Sequence, residues 1–297
     1  MEKLAENGLI VRQAGRGSFV ATKRSKLPKS AGETSKKHYL IGLIMHGFAD
    51  DYGRELLYSL EANTPPGYSL VLRISDGNTE IEQRAIRELI EANVDGLIIA
   101  PAQAEHYSKD LLQLVINEFP LVIIDRFFKG IASSSVATDN LKATKEATKY
   151  LFDLKHRSIA LLTPLSHSTT AIEDRIEGFI QAHAEAGILA DNQLIIDSMV
   201  CFAHPSEEKM TSDRERIKQL IVRKPELSAF LACEYPLAIL AKEAIDELGL
   251  KVPNDFSILC FDSPRFRLDR TNFTHVRQNE ELIGKKSDGD SQRLNQL

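Results

Sequence analysis

Gly96-Leu-Ile-Ile-Ala100, a segment over 107–117 with apolar residues at helical spacing, and then Leu121-Val-Ile-Ile124 form the stretch that decides the fold. Four consecutive apolar residues leave a strand no polar face, so both of its faces must be covered. That is the condition of a central strand in a parallel sheet flanked by helices. Upstream the same rhythm holds: a strand Leu40-Ile-Gly-Leu-Ile-Met45, a helix over 52–62 with Leu56, Leu57 and Leu60 on one face, and a strand Tyr68-Ser-Leu-Val-Leu-Arg-Ile74. A helix over 80–92 follows, opened by Asn78 or Thr79 as its cap. After Asp139-Asn140 the alternation restarts. Helices over 141–154, 171–186, 206–222 and 237–248 separate Ser158-Ile-Ala-Leu-Leu162, Leu194-Ile-Ile196, Ala229-Phe-Leu-Ala232 and Phe256-Ser-Ile-Leu-Cys-Phe261. Two such halves predict an α/β fold of two doubly wound parallel-sheet lobes. Ligands then sit beyond the carboxyl ends of the strands, in the cleft between the lobes.

Composition narrows the function. Of 297 residues 43% are hydrophobic and 27% charged, enough apolar material for a core. The net charge of −5 hides a split, because residues 1–37 hold nine Lys/Arg against three acids. That head carries +6 and the other 260 residues −11, the pattern of a polyanion-facing head on an acidic body. Cys201, Cys233 and Cys260 are too widely spaced for a disulfide framework or a metal clip, which fits a reducing cytoplasm. No apolar stretch reaches the ~18 residues a bilayer span needs, and the first residues lack the apolar core of a secretory signal. Neither membrane association nor a cofactor is expected.

No catalytic motif is present: no Gly-x-Ser-x-Gly elbow, no His-Glu-x-x-His, no phosphate-binding loop between a strand and a helix. Gly15-Arg-Gly17 precedes Phe19-Val20 and reads as a tight turn between strands, so an enzyme is not expected. What collects at the strand ends is polar. Asp125-Arg126 follows Leu121–Ile124, Asp139-Asn140 follows Val136-Ala-Thr138, Asp262-Ser263 follows Phe261, and Arg175 interrupts an amphipathic helix. Carboxylates and a guanidinium converging on a cleft suit a hydroxyl-rich ligand, since each C–OH offers a donor and an acceptor. Helix caps for Asp139 and Asn140, and a structural salt bridge for Arg175, are the alternatives.

In order along the chain, Val94-Asp-Gly-Leu-Ile-Ile99, Pro120-Leu-Val-Ile-Ile-Asp-Arg126, Asp139-Asn140, Lys155-His-Arg-Ser-Ile-Ala160, Arg175-Ile-Glu-Gly-Phe179, Val252-Pro-Asn-Asp-Phe-Ser-Ile258, Phe261-Asp262 and Phe273-Thr-His-Val-Arg-Gln278 carry a resemblance. From His38 to about Gly284 the chain resembles the effector domain of LacI/GalR repressors, which is similar to periplasmic sugar-binding proteins. The resemblance implies a sugar or sugar-phosphate effector, with Arg175 binding its hydroxyls and Asp139 and Gln278 lining the cleft beside the strand-end carboxylates Asp125 and Asp262. Phe48, Asp50 and Tyr52 would close over it. Where the family has Asn-Asp after a second-lobe strand, this chain has Glu234 and Tyr235, so its specificity is expected to differ.

The head resembles the end of a GntR-type winged helix. Leu4-Ala-Glu-Asn-Gly-Leu-Ile10 matches the end of the recognition helix and the turn around Gly15-Arg-Gly17 the wing, so Arg12, Arg16 and Gly17 would lie against DNA. GntR heads on LacI-like bodies resemble the arabinose-type repressors. The expected organisation is a head over 1–21, a linker over 22–37, a first lobe over 38–138 and 265–286, a second over 139–264, and a polar, disordered or aberrant tail over 287–297. Both ends read as truncated, with the chain as written binding DNA poorly. The function expected is that of a homodimeric, effector-responsive regulator of operator DNA in carbohydrate metabolism; a periplasmic-type sugar-binding protein without DNA binding is the alternative.

Overall fold

In the first 37 residues, Ile10–Gln13 (β1) and Gly17–Val20 (β2) pair antiparallel, with Ile10 opposite Val20 and Gln13 opposite Gly17. The computed structural model describes residues 10–13, 17–20, 38–48, 52–102, 108–128, 130–131, 133–164, 169–199, 206–264 and 273–294. The chain divides into two units, 1–37 and 38–297.

The second unit opens with β3 (Tyr39–Met45), α1 (Arg54–Asn63), β4 (Tyr68–Ile74), α2 (Thr79–Glu91), β5 (Gly96–Ile99), α3 (Lys109–Ile116), β6 (Leu121–Ile124) and β7 (Ser134–Val136). These strands make one parallel sheet in the order β4-β3-β5-β6-β7. Then follow α4 (Asn140–Asp153), β8 (Ile159–Pro164), α5 (Thr170–Glu185), a 3-10 turn Asn192–Leu194, β9 (Ile195–Met199), α6 (Glu207–Arg223), β10 (Ala229–Ala232), α7 (Tyr235–Glu247), β11 (Ser257–Phe261) and β12 (Thr274–Val276). They make a second parallel sheet in the order β12-β11-β10-β8-β9. The expected α/β architecture of two doubly wound lobes is therefore present.

Period-two alternation explains why each sheet is covered twice. Ile41, Leu43 and Met45 face Leu56 and Leu60 of α1, while Ile44 faces Leu89 of α2 and Leu111 of α3. In the second lobe Phe230 packs with Leu237 and Ile217, and Leu231 on the opposite face packs with Phe179 and Leu151. Each such fully buried side chain contributes roughly 1.5–3 kcal/mol. Helix starts follow local chemistry. Asn78 Oδ1 accepts from the amides of Glu80 and Ile81, and Ser108, Asp139, Thr169 and Ser206 cap their helices in the same way. The start of α1 has Gly53 at φ +96 and no side-chain cap of its own. Glu280 supplies one from the far end of the sequence, its Oε2 accepting from Gly53 N at 2.7 Å and Leu56 N at 3.1 Å.

Two expected boundaries move. Thr274–Val276 pairs with β11 in the second sheet, Leu259 opposite Thr274 and Phe261 opposite Val276, so the chain returns to the first lobe after Val276 and not at 265. Residues 280–294 then form α8 (Glu280–Leu294), which continues through most of the stretch expected as a patternless tail. Neither element has a strong pattern. β12 is a three-residue edge strand with two exposed positions, and α8 packs on α1 through the narrow face of Ile283, Gly284 and Ser287.

The two lobes share a structural repeat at their junction. Asp125 and Asp262 each follow an apolar strand at positive φ, +67 and +61. Their amides donate to the carbonyls of Val136 and Val276, the last residues of the short strands β7 and β12. From both valines the chain crosses to the other lobe. The crossings meet where Thr138 Oγ1 donates to Gln278 Oε1 at 2.8 Å.

Candidate functional site

In a doubly wound sheet the ligand position lies beyond the strand ends where the winding reverses. The first sheet reverses between β3 and β5, the second between β8 and β10. Those four ends carry His46, Pro101, Pro164 and the Cys233-Glu234 pair, and Asp125-Arg126 and Asp262 stand at the neighbouring ends.

On the first lobe, Tyr52 donates its phenol hydrogen to Asp125 Oδ1 at 2.8 Å. Asp125 Oδ2 lies 3.6 Å from Arg126 Nε. Arg126 Nη1 donates to the Pro101 carbonyl, which also holds His46 Nε2 at 2.7 Å. Glu82, buried in α2, accepts from the amide of Ala102 at 2.5 Å, so the start of the loop after β5 is fixed from three sides. Burial shifts His46, Tyr52, Glu82 and Arg126 toward their neutral forms. It takes His46 down to about 4, helped by the adjacent Arg126 charge. It lowers Arg126 and raises Glu82, and it raises Tyr52 well above the usual phenol range, with Asp125 adding to the effect.

On the second lobe, Arg175 is 5% exposed. Its Nε donates to Asn140 Oδ1 at 2.9 Å, its Nη1 to the Cys233 carbonyl, and its guanidinium carbon lies 3.8 Å from the centre of the Phe261 ring. The Cys233 thiol beneath is pushed up to about 12 by burial and is no nucleophile at neutral pH. Between the lobes, the Gln278 side-chain amide donates to Asp262 Oδ2 at 2.8 Å while accepting from Thr138. Phe127 N lies 3.5 Å from Thr170 Oγ1 across the cleft, and the Glu234 charge reaches Arg126 from the opposite lobe.

The residues expected from sequence thus separate. Tyr52 with Asp125, and Asp262 with Gln278, are brought together as hydrogen-bonded pairs. Asp139 is exposed and caps α4 by accepting from Lys142 N at 3.0 Å, and it is the neighbouring Asn140 that meets Arg175. Tyr235 packs on the second-lobe core, its ring 6.1 Å from that of Phe273. Phe48 is exposed in the loop after β3. Asp50 and Arg16 lie outside the described residues; Arg12 and Gly17 lie in β1 and β2. Sequence reasoning missed His46, Glu82 and Thr138 as parts of the site. It quoted Arg126 and Asn140 without giving them roles there. For His46 the available signal was position, a polar residue directly following an apolar strand, whereas Glu82 lies inside α2 and Thr138 two residues beyond β7.

Among the described residues no cluster of His, Cys, Asp and Glu is placed to hold a metal ion, and no helix is long and apolar enough to cross a membrane. A family profile described as periplasmic binding proteins and sugar binding domain of LacI family matches residues 41–278. The transcriptional repressor PurR of Pasteurella multocida is 28% identical over 251 residues, 83% of this chain and 72% of that protein. The arabinose metabolism transcriptional repressor of Halalkalibacterium halodurans is 24% identical over 267 residues, 88% and 68% of the two chains. The transcription regulator CcpA of Lactococcus lactis has the same fold, with a TM-score of 0.71 at 20% identity covering 87% of this chain and 91% of that one.

Proposed function

The chain belongs to the family of periplasmic binding proteins and LacI-type sugar-binding domains, and on that premise we propose that it is a ligand-responsive transcriptional repressor that senses a small polar metabolite of the sugar type in its inter-lobe cleft. The observation that carries this reading is the double crossing between the lobes. Thr138 and Gln278 tie the two connecting segments to each other, and Gln278 ties them to Asp262 at the cleft. A ligand gripped by both walls favours one arrangement of the lobes, and whatever is attached to them feels the change.

The relatives are named as transcriptional repressors, one of them of arabinose metabolism, which favours a repressor over a transport-type sugar-binding protein. In this reading the β1–β2 hairpin is the wing of a GntR-type head, with Arg12, Arg16 and Gly17 against DNA phosphates, and 22–37 is the linker. The protein acts in the cytoplasm as a homodimer whose two heads meet two operator half-sites. Ligand and operator affinities are then linked reciprocally, by typically 1–3 kcal/mol. In this reading it turns over no substrate: His46 is taken down to about 4 and the Cys233 thiol up to about 12, both away from the neutral range where acid–base catalysis works.

A panel of sugars, sugar phosphates and purines screened by thermal unfolding tests the reading. A true effector at about 100 times its Kd adds roughly 2.7 kcal/mol, a shift of several degrees. Arg175→Ala, shown to be folded by circular dichroism, should lose that shift. An unchanged shift in the variant, or no stabilising ligand for the wild type, defeats the cleft assignment.

A further inference from the structure

The first amides of a helix have no partner inside it, and the residue at the cap position usually supplies one from its own side chain. At the start of α1 that residue is Gly53, whose φ of +96 favours glycine and where a Cβ would stand 3.2 Å from the Gly47 carbonyl oxygen. The third helical residue, which in a capping box reaches back to the cap amide, is Leu56 and has no polar group to offer. Both tasks fall to one carboxylate from the far end of the sequence, Glu280, which holds Gly53 N and Leu56 N at once. Its position in the chain is specific. Glu280 stands two residues after Gln278, the side chain that joins the two crossings to each other and to Asp262. The residue before the capped turn is Tyr52, which holds Asp125 on the wall of the cleft. The charges of Asp125, Asp262 and Glu280 all reach the Tyr52 phenol. The start of α8 is also fastened to α1 one turn on, where Ser59 Oγ donates to the Glu281 carbonyl at 2.7 Å.

We infer that Glu280 is a positioning residue that makes the Tyr52–Asp125 hydrogen bond depend on how the two crossings between the lobes are joined. A cap carried by α1 itself would hold the helix in the same way whatever the lobes do. A cap carried by Glu280 moves with the second crossing, because two residues of chain span at most about 7 Å and leave little slack between Gln278 and the carboxylate. When Glu280 is seated, the first turn of α1 is fixed and Tyr52, directly before it, is aimed at Asp125. When the crossing shifts, the turn loses both of its acceptors together and the entry angle of the chain at Tyr52 is released. For effector binding the consequence rests on the cleft being the effector site. A ligand that needs Tyr52 and Asp125 in place favours the crossing arrangement that seats Glu280, and that arrangement in turn favours the ligand.

The test uses the full chain, unliganded, with carbon-13 at the phenol carbon of its seven tyrosines and the Tyr52 signal assigned by Tyr52→Phe. Glu280→Ala should shift that signal and speed hydrogen exchange at the Gly53 and Leu56 amides by about tenfold. Glu280→Gln keeps an acceptor oxygen and should leave both near wild type. Gln278→Leu leaves Glu280 and α1 intact in sequence, yet it should shift the same signal and speed the same amides by about threefold or more; in the Glu280→Ala background it should add nothing. A Tyr52 signal unmoved in Gln278→Leu, or two substitutions whose effects simply add, is what a helix cap with no positioning role gives, and either result overturns the inference. Should Glu280→Ala fail to fold, the Tyr52 signal in Gln278→Leu decides alone. Calorimetry with D-ribose, L-arabinose, D-glucose, D-galactose, ribose 5-phosphate, glucose 6-phosphate and hypoxanthine adds the effector side. The compound that binds the wild type should bind Glu280→Ala about tenfold more weakly and Glu280→Gln within about threefold of wild type. Unchanged affinity in Glu280→Ala overturns the inference and leaves the cleft-sensor reading standing. Binding by none of the seven compounds overturns the sensor reading, while the tyrosine signal still decides the coupling.

Discussion

His46 shows how tertiary placement sets a residue's chemistry. The sequence offers only a histidine after an apolar strand, whereas the fold buries it beside Arg126 and pulls it down to about 4. An unfolded chain takes up the proton near the ordinary 6.5, so between about 4 and 6.5 the unfolded state binds more protons and stability rises with pH. The contribution is fully present above that window, and for this partly buried group it is on the order of 2 kcal/mol. Glu82 and Glu280 are raised by burial and act in the opposite sense, losing stability as pH rises through the carboxylate range. His46→Gln should therefore flatten the rise between pH 4 and 6.5 in urea midpoints measured across that range. A slope equal to that of the wild type would show that His46 is not the group responsible.

Helices and strands were legible wherever one periodicity ran long enough. Leu121–Ile124 and Ala229–Ala232 are buried strands as their apolar runs require, and Asn78 and Asp139 are caps as their side chains allow. Contacts distant in sequence were not legible. The cap of α1 comes from Glu280, and the approach of α5 to α4 depends on Gly178, where a Cβ would lie 2.3 Å from the Leu141 carbonyl oxygen and 3.1 Å from Thr144 Cβ. The nearest obstacle is backbone and cannot rotate away. Gly178→Ala should force the two helices apart and cost about 1–3 kcal/mol, read as a lower urea midpoint with an unchanged slope. Wild-type stability in that variant would mean that the helix pair separates freely.

For the molecule as a whole the decisive feature is that two copies of one connection are joined. Ile124 pairs with Val136 before one crossing, Phe261 pairs with Val276 before the other, and Gln278, 6% exposed, bonds into both. Gln278→Leu keeps the volume but leaves Asp262 and Thr138 without that partner. It should weaken effector binding by about tenfold and abolish the ligand-induced decrease in radius of gyration seen by X-ray scattering. A compaction as large as in the wild type would show that the crossings are not coupled through this side chain. By itself the sequence determined the two α/β lobes, the polar strand ends and the contrast between a basic head and an acidic body, because periodicity, residue type and charge are local or additive. Only the tertiary structure decided that Thr274–Val276 belongs to the second sheet, that Arg175 is held by Asn140 while Asp139 caps a helix, and that Arg126 keeps a buried donor without an acceptor. Those outcomes depend on which groups distant in sequence the fold brings within hydrogen-bond reach and removes from water.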